Sequence, residues 1–250
     1  MKKFLSVILA TLMVATTFFT LPFNAFAITQ SEANNAKNIT ASSTKYVEEN
    51  VTPQDSNYVY YKITVEETGV YSLYSSSSAD TYGELYSADF NEIDYDDDDG
   101  EGSNFKIVSQ LVKGNIYYLG VKYYSSSYVG QAFNITIERD NDSVVLDGIM
   151  YTKYTEKSEN SDDVTYYKVT RNFLTAPTKV TIRNEVNGYP VKRIGQESFY
   201  NCEYITSLTI QDGIEIIEED AFCGCLNLAS INLCDSITEL RYDAFYGIND

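Results

Sequence analysis

The side chains that could do chemistry are unevenly supplied: 36 Asp plus Glu, 18 Lys plus Arg, 23 Tyr, four Cys and no His in 250 residues. Without imidazole, Ser-His-Asp and Cys-His nucleophilic mechanisms and His-ligated zinc are excluded. Paired-carboxylate catalysis survives that filter, but no local motif singles out two facing acids, so the chain reads as non-enzymatic. The densest charge is the run Asp94-Tyr95-Asp96-Asp97-Asp98-Asp99-Gly100-Glu101-Gly102. Carboxylates crowded on a glycine-containing loop repel one another unless a hard cation neutralises them, which makes Asp94, Asp96, Asp98 and Asp99 the expected calcium ligands. No other cofactor is expected. The run is not an EF-hand, since Asp99 would stand where glycine is required and Phe105 where the closing carboxylate belongs. A solvated acidic loop between strands is the favoured reading of so short a run, with a calcium site as the alternative.

Two further residue types carry potential chemistry. Thirteen tyrosines lie between Tyr58 and Tyr128. Their rings could stack on sugar faces or line a peptide platform, or they could simply serve strands, which favour Tyr on both faces. The absence of tryptophan weighs against a sugar platform. The cysteines stand at 202, 223, 225 and 234, and Cys223-Gly224-Cys225 has the look of a redox or metal pair. Four Asn-x-Ser/Thr sequons, at Asn38, Asn50, Asn134 and Asn141, matter only in a host with a glycosylation pathway.

The elements that must position these residues begin after an export signal. Met1-Lys2-Lys3 is basic, Phe4 to Pro22 is apolar or small, and Ala25-Phe26-Ala27 supplies a small-x-small cleavage site, so residues 1–27 read as a signal peptide and the mature chain as secreted, extracellular or attached at the cell surface. A retained anchor is the competing reading. Cleavage removes two lysines and leaves a net charge of 16 minus 36, or −20, which disfavours nucleic acid and anionic lipid, and nothing later could insert into a membrane. Residues 28–43 read as a linker. Residues 28–142 carry 19 acidic and 7 basic side chains, against 17 and 9 in residues 143–250, consistent with two domains.

From Tyr58 the apolar residues alternate in short runs divided by turn signals, predicting a mainly β protein that opens with an antiparallel, jelly-roll-like β-sandwich over residues 44–140. Val59, Tyr61, Ile63 and Val65 fall on one strand face, and further strands are predicted at 70–74, 83–87, 105–111, 116–122 and 132–138, with Lys113-Gly114-Asn115 as a hairpin turn. The order Tyr60-Tyr-Lys-Ile-Thr-Val65, Glu67-Thr-Gly-Val-Tyr-Ser-Leu73, the acidic Asp98-Asp99-Gly100 loop, Asn104-Phe-Lys-Ile107 and Leu111-Val-Lys-Gly-Asn-Ile-Tyr-Tyr-Leu-Gly-Val121 resembles bacterial pre-peptidase C-terminal domains. That resemblance implies a small accessory module of secreted proteins, usually non-catalytic.

The C-terminal part repeats itself every 23 residues: Ile194, Ile217 and Leu240; Phe199, Phe222 and Phe245; Cys202, Cys225 and Ile248. Apolar residues at constant phase predict a solenoid in which each coil stacks on its equivalents, with those residues as the repeat core over residues 184–250. Cys202 and Cys225 then occupy one core position in successive coils, filled by Ile248 in the third, so packing, a disulfide and a metal site are weighed in that order. The Ala-Phe-x-Gly-Cys-x-x-Leu segment at 221–228 and the opening Gly188-Tyr-Pro-Val-Lys-Arg-Ile-Gly195 closely resemble the BspA-like leucine-rich repeat family. Strand-like runs at 147–151, 166–170 and 178–182, with a polar hairpin loop at 156–163, predict an N-terminal cap over residues 141–183. The third unit reaches Asp250 without a polar cap, which predicts either a longer array or a partner over that end. The resemblance implies adhesion or recognition of host or matrix proteins. The other class is a carbohydrate-binding or accessory module of a secreted hydrolase, so the expected partner is a protein or a polysaccharide at the cell exterior.

Overall fold

The computed structural model describes residues 28–157 and 162–248, so the signal-peptide reading of residues 1–27 lies outside the described residues. The protein is mainly β. Its first strands are β1 (Lys37–Ala41), β2 (Tyr46–Val51), β3 (Val59–Val65), β4 (Gly69–Ser76), β5 (Thr81–Ser87), β6 (Glu92–Asp96), β7 (Lys106–Leu111), β8 (Ile116–Tyr123) and β9 (Phe133–Arg139). They form a five-stranded sheet, β1-β3-β8-β5-β6, and a four-stranded sheet, β2-β9-β4-β7. All pairings are antiparallel except β1 with β3.

The two-residue period of β3 puts Tyr61, Ile63 and Val65 into one core with Leu73, Leu85, Phe105, Leu119, Ile135 and Ile137, with Val59 packed at its margin. The turn at 113–115 is not a hairpin. It carries the chain from β7 in one sheet to β8 in the other, with Gly114 at φ 83° and the Asn115 N–H donating to Val112 O. Hairpins and crossovers use the same turn residues, so local chemistry could not separate them.

Residues 28–43 are not a linker. Gln30–Asn35 form a short helix, α1, whose N-terminus is a capping box: the Glu32 N–H donates to Thr29 Oγ1 at 3.3 Å and the Thr29 N–H to Glu32 Oε2 at 2.8 Å. Ile28 and Ala33 pack with Tyr60, Tyr86 and Tyr118 on the outer face of the five-stranded sheet, while Ile39 and Ala41 of β1 enter the main core. A polar composition concealed a segment that buries Ile28, Ala33, Ile39 and Ala41 and partly buries Ala36.

The second half comprises β10 (Ser143–Leu146), β11 (Ile149–Glu156), β12 (Val164–Asn172), β13 (Thr178–Ile182), β14 (Glu185–Val186), β15 (Tyr189–Ile194), β16 (Ile205–Ile210), β17 (Ile216–Ile217), β18 (Ile231–Asn232) and β19 (Glu239–Leu240). After the antiparallel ribbon β10-β11-β12, the coils build two parallel ladders, β12-β15-β17-β19 and β13-β16-β18, the coil of β19 contributing to the first alone among the described residues. The ladder register is the sequence period: Ile194 pairs with Ile217 and Ile217 with Leu240. The aromatic turns stack in the same phase, with Phe199 and Phe222 at 4.9 Å and 12°, and Phe222 and Phe245 at 5.1 Å and 4°.

Candidate recognition surface

The outward row of the first ladder runs from Lys168 through Arg193 and Ile216 to Glu239, each paired with the next across parallel strands. Next to Lys168 on β12, Tyr166 pairs with Tyr154 of β11, and their rings stack at 6.2 Å and 23°. The cations lie on these rings: Lys168 Nζ is 4.7 Å from the Tyr154 centroid and the Arg193 guanidinium 5.4 Å from that of Tyr166. Beneath them Glu218, 7% exposed, accepts from Lys168 at 3.4 Å, from the Gln196 N–H at 3.1 Å, and lies 3.8 Å from Arg193. Arg193 also pairs with Glu156 at 2.5 Å, and the Tyr166 hydroxyl donates to the same carboxylate at 2.9 Å. Burial, reinforced by Glu156, pushes the Tyr166 phenol up to about 12, so it stays a neutral donor. The result is a cluster of two tyrosines, an arginine and a lysine on the sheet face where the antiparallel ribbon β11-β12 meets the parallel ladder at β15. Aromatic rings and Arg with immobilised side chains are the residues that anchor protein interfaces. Sequence reasoning missed this cluster, because its members are spread from 154 to 218 and meet only through ladder register.

The acidic run does not gather around one point. Asp94 and Asp96 belong to strand β6, which pairs with β5. Asp94 forms an ion pair at 2.5 Å with Arg171 of β12, whose guanidinium also donates to Val108 O at 3.3 Å. Asp96 accepts the Lys106 N–H at 2.7 Å and the Asp99 N–H at 3.0 Å, while Asp98 and Asp99 are exposed on the following turn. Among the described residues no group of three or more His, Cys, Asp or Glu side chains could hold a metal ion. Of the calcium candidates Asp94, Asp96, Asp98 and Asp99, the first two lie on strand β6 and the last two on the turn after it, and an arginine 77 residues away pairs with Asp94.

Within the array Ile194, Phe199, Cys202, Ile217, Phe222 and Cys225 are buried. Leu240 and Phe245 belong to the last coil of the described residues. The former is 53% exposed and the latter half-buried, because among the described residues no coil stacks beyond them. All four cysteines are free thiols. Cys225 Sγ donates to Phe199 O at 3.1 Å, and burial pushes its thiol up to about 12. Of the thirteen tyrosines, Tyr60, Tyr61, Tyr71, Tyr86, Tyr117, Tyr118 and Tyr123 are buried, whereas Tyr95 and Tyr124 are exposed. No helix among the described residues is long and apolar enough to cross a membrane.

The model of the BspA type leucine rich repeat region, a family description of six copies, matches residues 191–250. That segment is similar to BspA-type leucine-rich repeats. Similar solved structures include a Treponema pallidum leucine rich repeat protein, 25% identical over 38% of this chain and 42% of its own, with a TM-score of 0.32. A leucine-rich repeat protein from Bacteroides capillosus is 21% identical over 42% of this chain and 75% of its own, with a TM-score of 0.35. The pre-peptidase C-terminal domain of a Bacillus anthracis collagenase is 14% identical over 42% of this chain and 94% of its own, with a TM-score of 0.32. No curated protein matches the chain. The chain thus spans less than half the length of the T. pallidum protein.

Proposed function

We propose that this is a non-enzymatic recognition protein of the bacterial cell exterior, whose leucine-rich repeat array binds a protein partner in adhesion or host recognition. The observation that carries the reading is the Tyr154, Tyr166, Lys168 and Arg193 cluster, packed together over buried Glu218 where the antiparallel ribbon joins the parallel ladder. Pre-ordering such side chains lowers the entropy lost on association. The export reading of residues 1–27 agrees with that setting, and the two sheets of the N-terminal half, with their shared core, suit a β-sandwich accessory module of the pre-peptidase C-terminal kind. The second reading, a module serving a secreted hydrolase, rests on that N-terminal half alone. The test is biosensor binding of the chain starting at Ile28 to matrix and host-surface proteins. A partner should be found whose affinity falls about tenfold or more in Tyr154→Ala and Arg193→Ala, the scale of one interface anchor. Binding unaffected by both variants would remove the cluster from the interface.

A further inference from the structure

A cleft of about 610 Å³ opens at the far end of the N-terminal half, between α1, the last residues of β2 and the start of β3. Its size is that of a small-ligand site, about 300–1,000 Å³. The side chains facing it have an unusual balance. Asn35, Asn50 and Thr52 line it together with Tyr58 and Tyr60, whose rings stack at 5.4 Å and 26°. The Asn50 carboxamide makes no hydrogen bond among the described residues, and Asn35 uses only its Nδ2, donating to Ser31 O at 2.9 Å. Asn50 is brought there by a break in register between Glu48 and Val51 of β2, where it takes a left-handed φ of 58° and its N–H donates to Asn134 Oδ1 at 3.0 Å. Strand irregularities of this kind re-aim a side chain at the rim of a sheet.

The charges in the lining are already satisfied within the protein. Lys37 pairs with Glu48, which also accepts from the Tyr46 hydroxyl at 3.0 Å, and Glu32 is held in the capping box of α1. An anionic ligand would have to take the single ammonium away from Glu48. A purely apolar ligand would desolvate two carboxamides without giving them partners, which costs free energy at each. A polyhydroxylated neutral ligand meets both conditions: its hydroxyls pair with amide and threonine groups, and its C–H groups pack against the part of Tyr58 left exposed beside buried Tyr60 and the Lys122 ammonium, 4.5 Å over the Tyr58 ring. We infer that the cleft formed by Asn35, Asn50, Thr52 and the stacked Tyr58–Tyr60 pair binds a neutral saccharide. This site lies on the other half of the molecule from the recognition cluster and does not depend on it.

The test uses the chain starting at Ile28, titrated calorimetrically with neutral cello-, chito-, malto- and xylo-oligosaccharides, with heparin fragments and spermine as charged counterparts. At least one neutral series should bind, and affinity should fall about tenfold in Asn50→Gly, which preserves the left-handed backbone, and in Asn35→Ala, with melting temperatures unchanged. Arg193→Ala should leave saccharide binding intact even where it abolishes protein binding. The inference is overturned if no neutral series binds, if heparin or spermine binds in its place, or if saccharide binding survives both asparagine variants.

Discussion

At the scale of the residue, partners decide roles that composition suggests only loosely. Asp94 sits in the densest acidic run of the chain, yet its carboxylate, 14% exposed, is paired with the guanidinium of Arg171. Removing the charge by Asp94→Asn leaves a part-buried guanidinium short of its partner and should lower stability by about 1–3 kcal/mol, the usual scale for a charged hydrogen bond. Calcium should leave the melting curve of the unmodified protein unchanged. Thermal unfolding of both proteins, with calcium and with chelator, checks the two statements together, and a calcium-dependent rise in melting temperature would restore the metal reading. The cysteine phase is a residue-scale matter too. Positions 202 and 225 carry a small buried side chain in successive coils, and partly buried Ile248 takes the same place in the third.

At the scale of the element, the coil turn is the unit that repeats. Left-handed backbone recurs at Glu197, Asp220 and Asp243, and again at Asn201, Gly224 and Gly247, each set spaced by the 23-residue period. At Gly224, with φ 71°, a Cβ would come within 2.0 Å of Asn201 Oδ1, so a larger residue there would strain the backbone and displace the Asn201 side chain. Backbone hydrogen bonds tie turn to turn, from Phe199 N to Ala221 O and from Phe222 N to Ala244 O, both at 2.8 Å. Phe222 lies between two rings and is fully buried, whereas Phe245 has a neighbour on one side only. Phe222→Ala should therefore cost about 3–5 kcal/mol, the range for a buried aromatic truncation, and Phe245→Ala clearly less. Denaturant titration of the two variants decides it; equal effects would mean that the rings do not share one stacked ladder.

At the scale of the whole molecule, the two halves are joined by Arg171, which reaches from β12 to Asp94 of β6 and to the Val108 carbonyl of β7. The tyrosine content gives the molecule a common response to alkali. Burial, helped by Glu48, pushes Tyr46 up to about 12, Tyr166 is raised to the same level, and Tyr58, Tyr60, Tyr61, Tyr82 and Tyr86 are pushed further up, desolvation being the first cause in each. Folded pKa values above the unfolded value of 10.0 mean that the folded state holds its phenolic protons more tightly. That contribution to stability is fully present below about pH 10 and is lost as pH rises through 10 to 12 and beyond. A pH titration followed by tyrosinate absorbance and circular dichroism should show the buried phenols ionising together with loss of the β signal. Ionisation of all tyrosines near pH 10 with the dichroism intact would contradict their burial.

The repeat period, the alternation in β3 and the strands near 70, 83, 106, 116 and 133 were legible in the chain itself, because stacking and pleating impose fixed spacings on apolar residues. Even the capping box of α1 was written in Thr29-Gln30-Ser31-Glu32, though its polarity made it resemble a linker. Tertiary structure alone decided which turns cross between sheets, that Asp94 faces Arg171, that Leu240 stands exposed, and that Tyr154, Tyr166, Lys168 and Arg193 converge over Glu218. Local spacing encodes which face of a strand a residue takes. Which strand lies beside it depends on chain segments tens of residues away, and it is that pairing which assembles both the recognition cluster and the saccharide cleft.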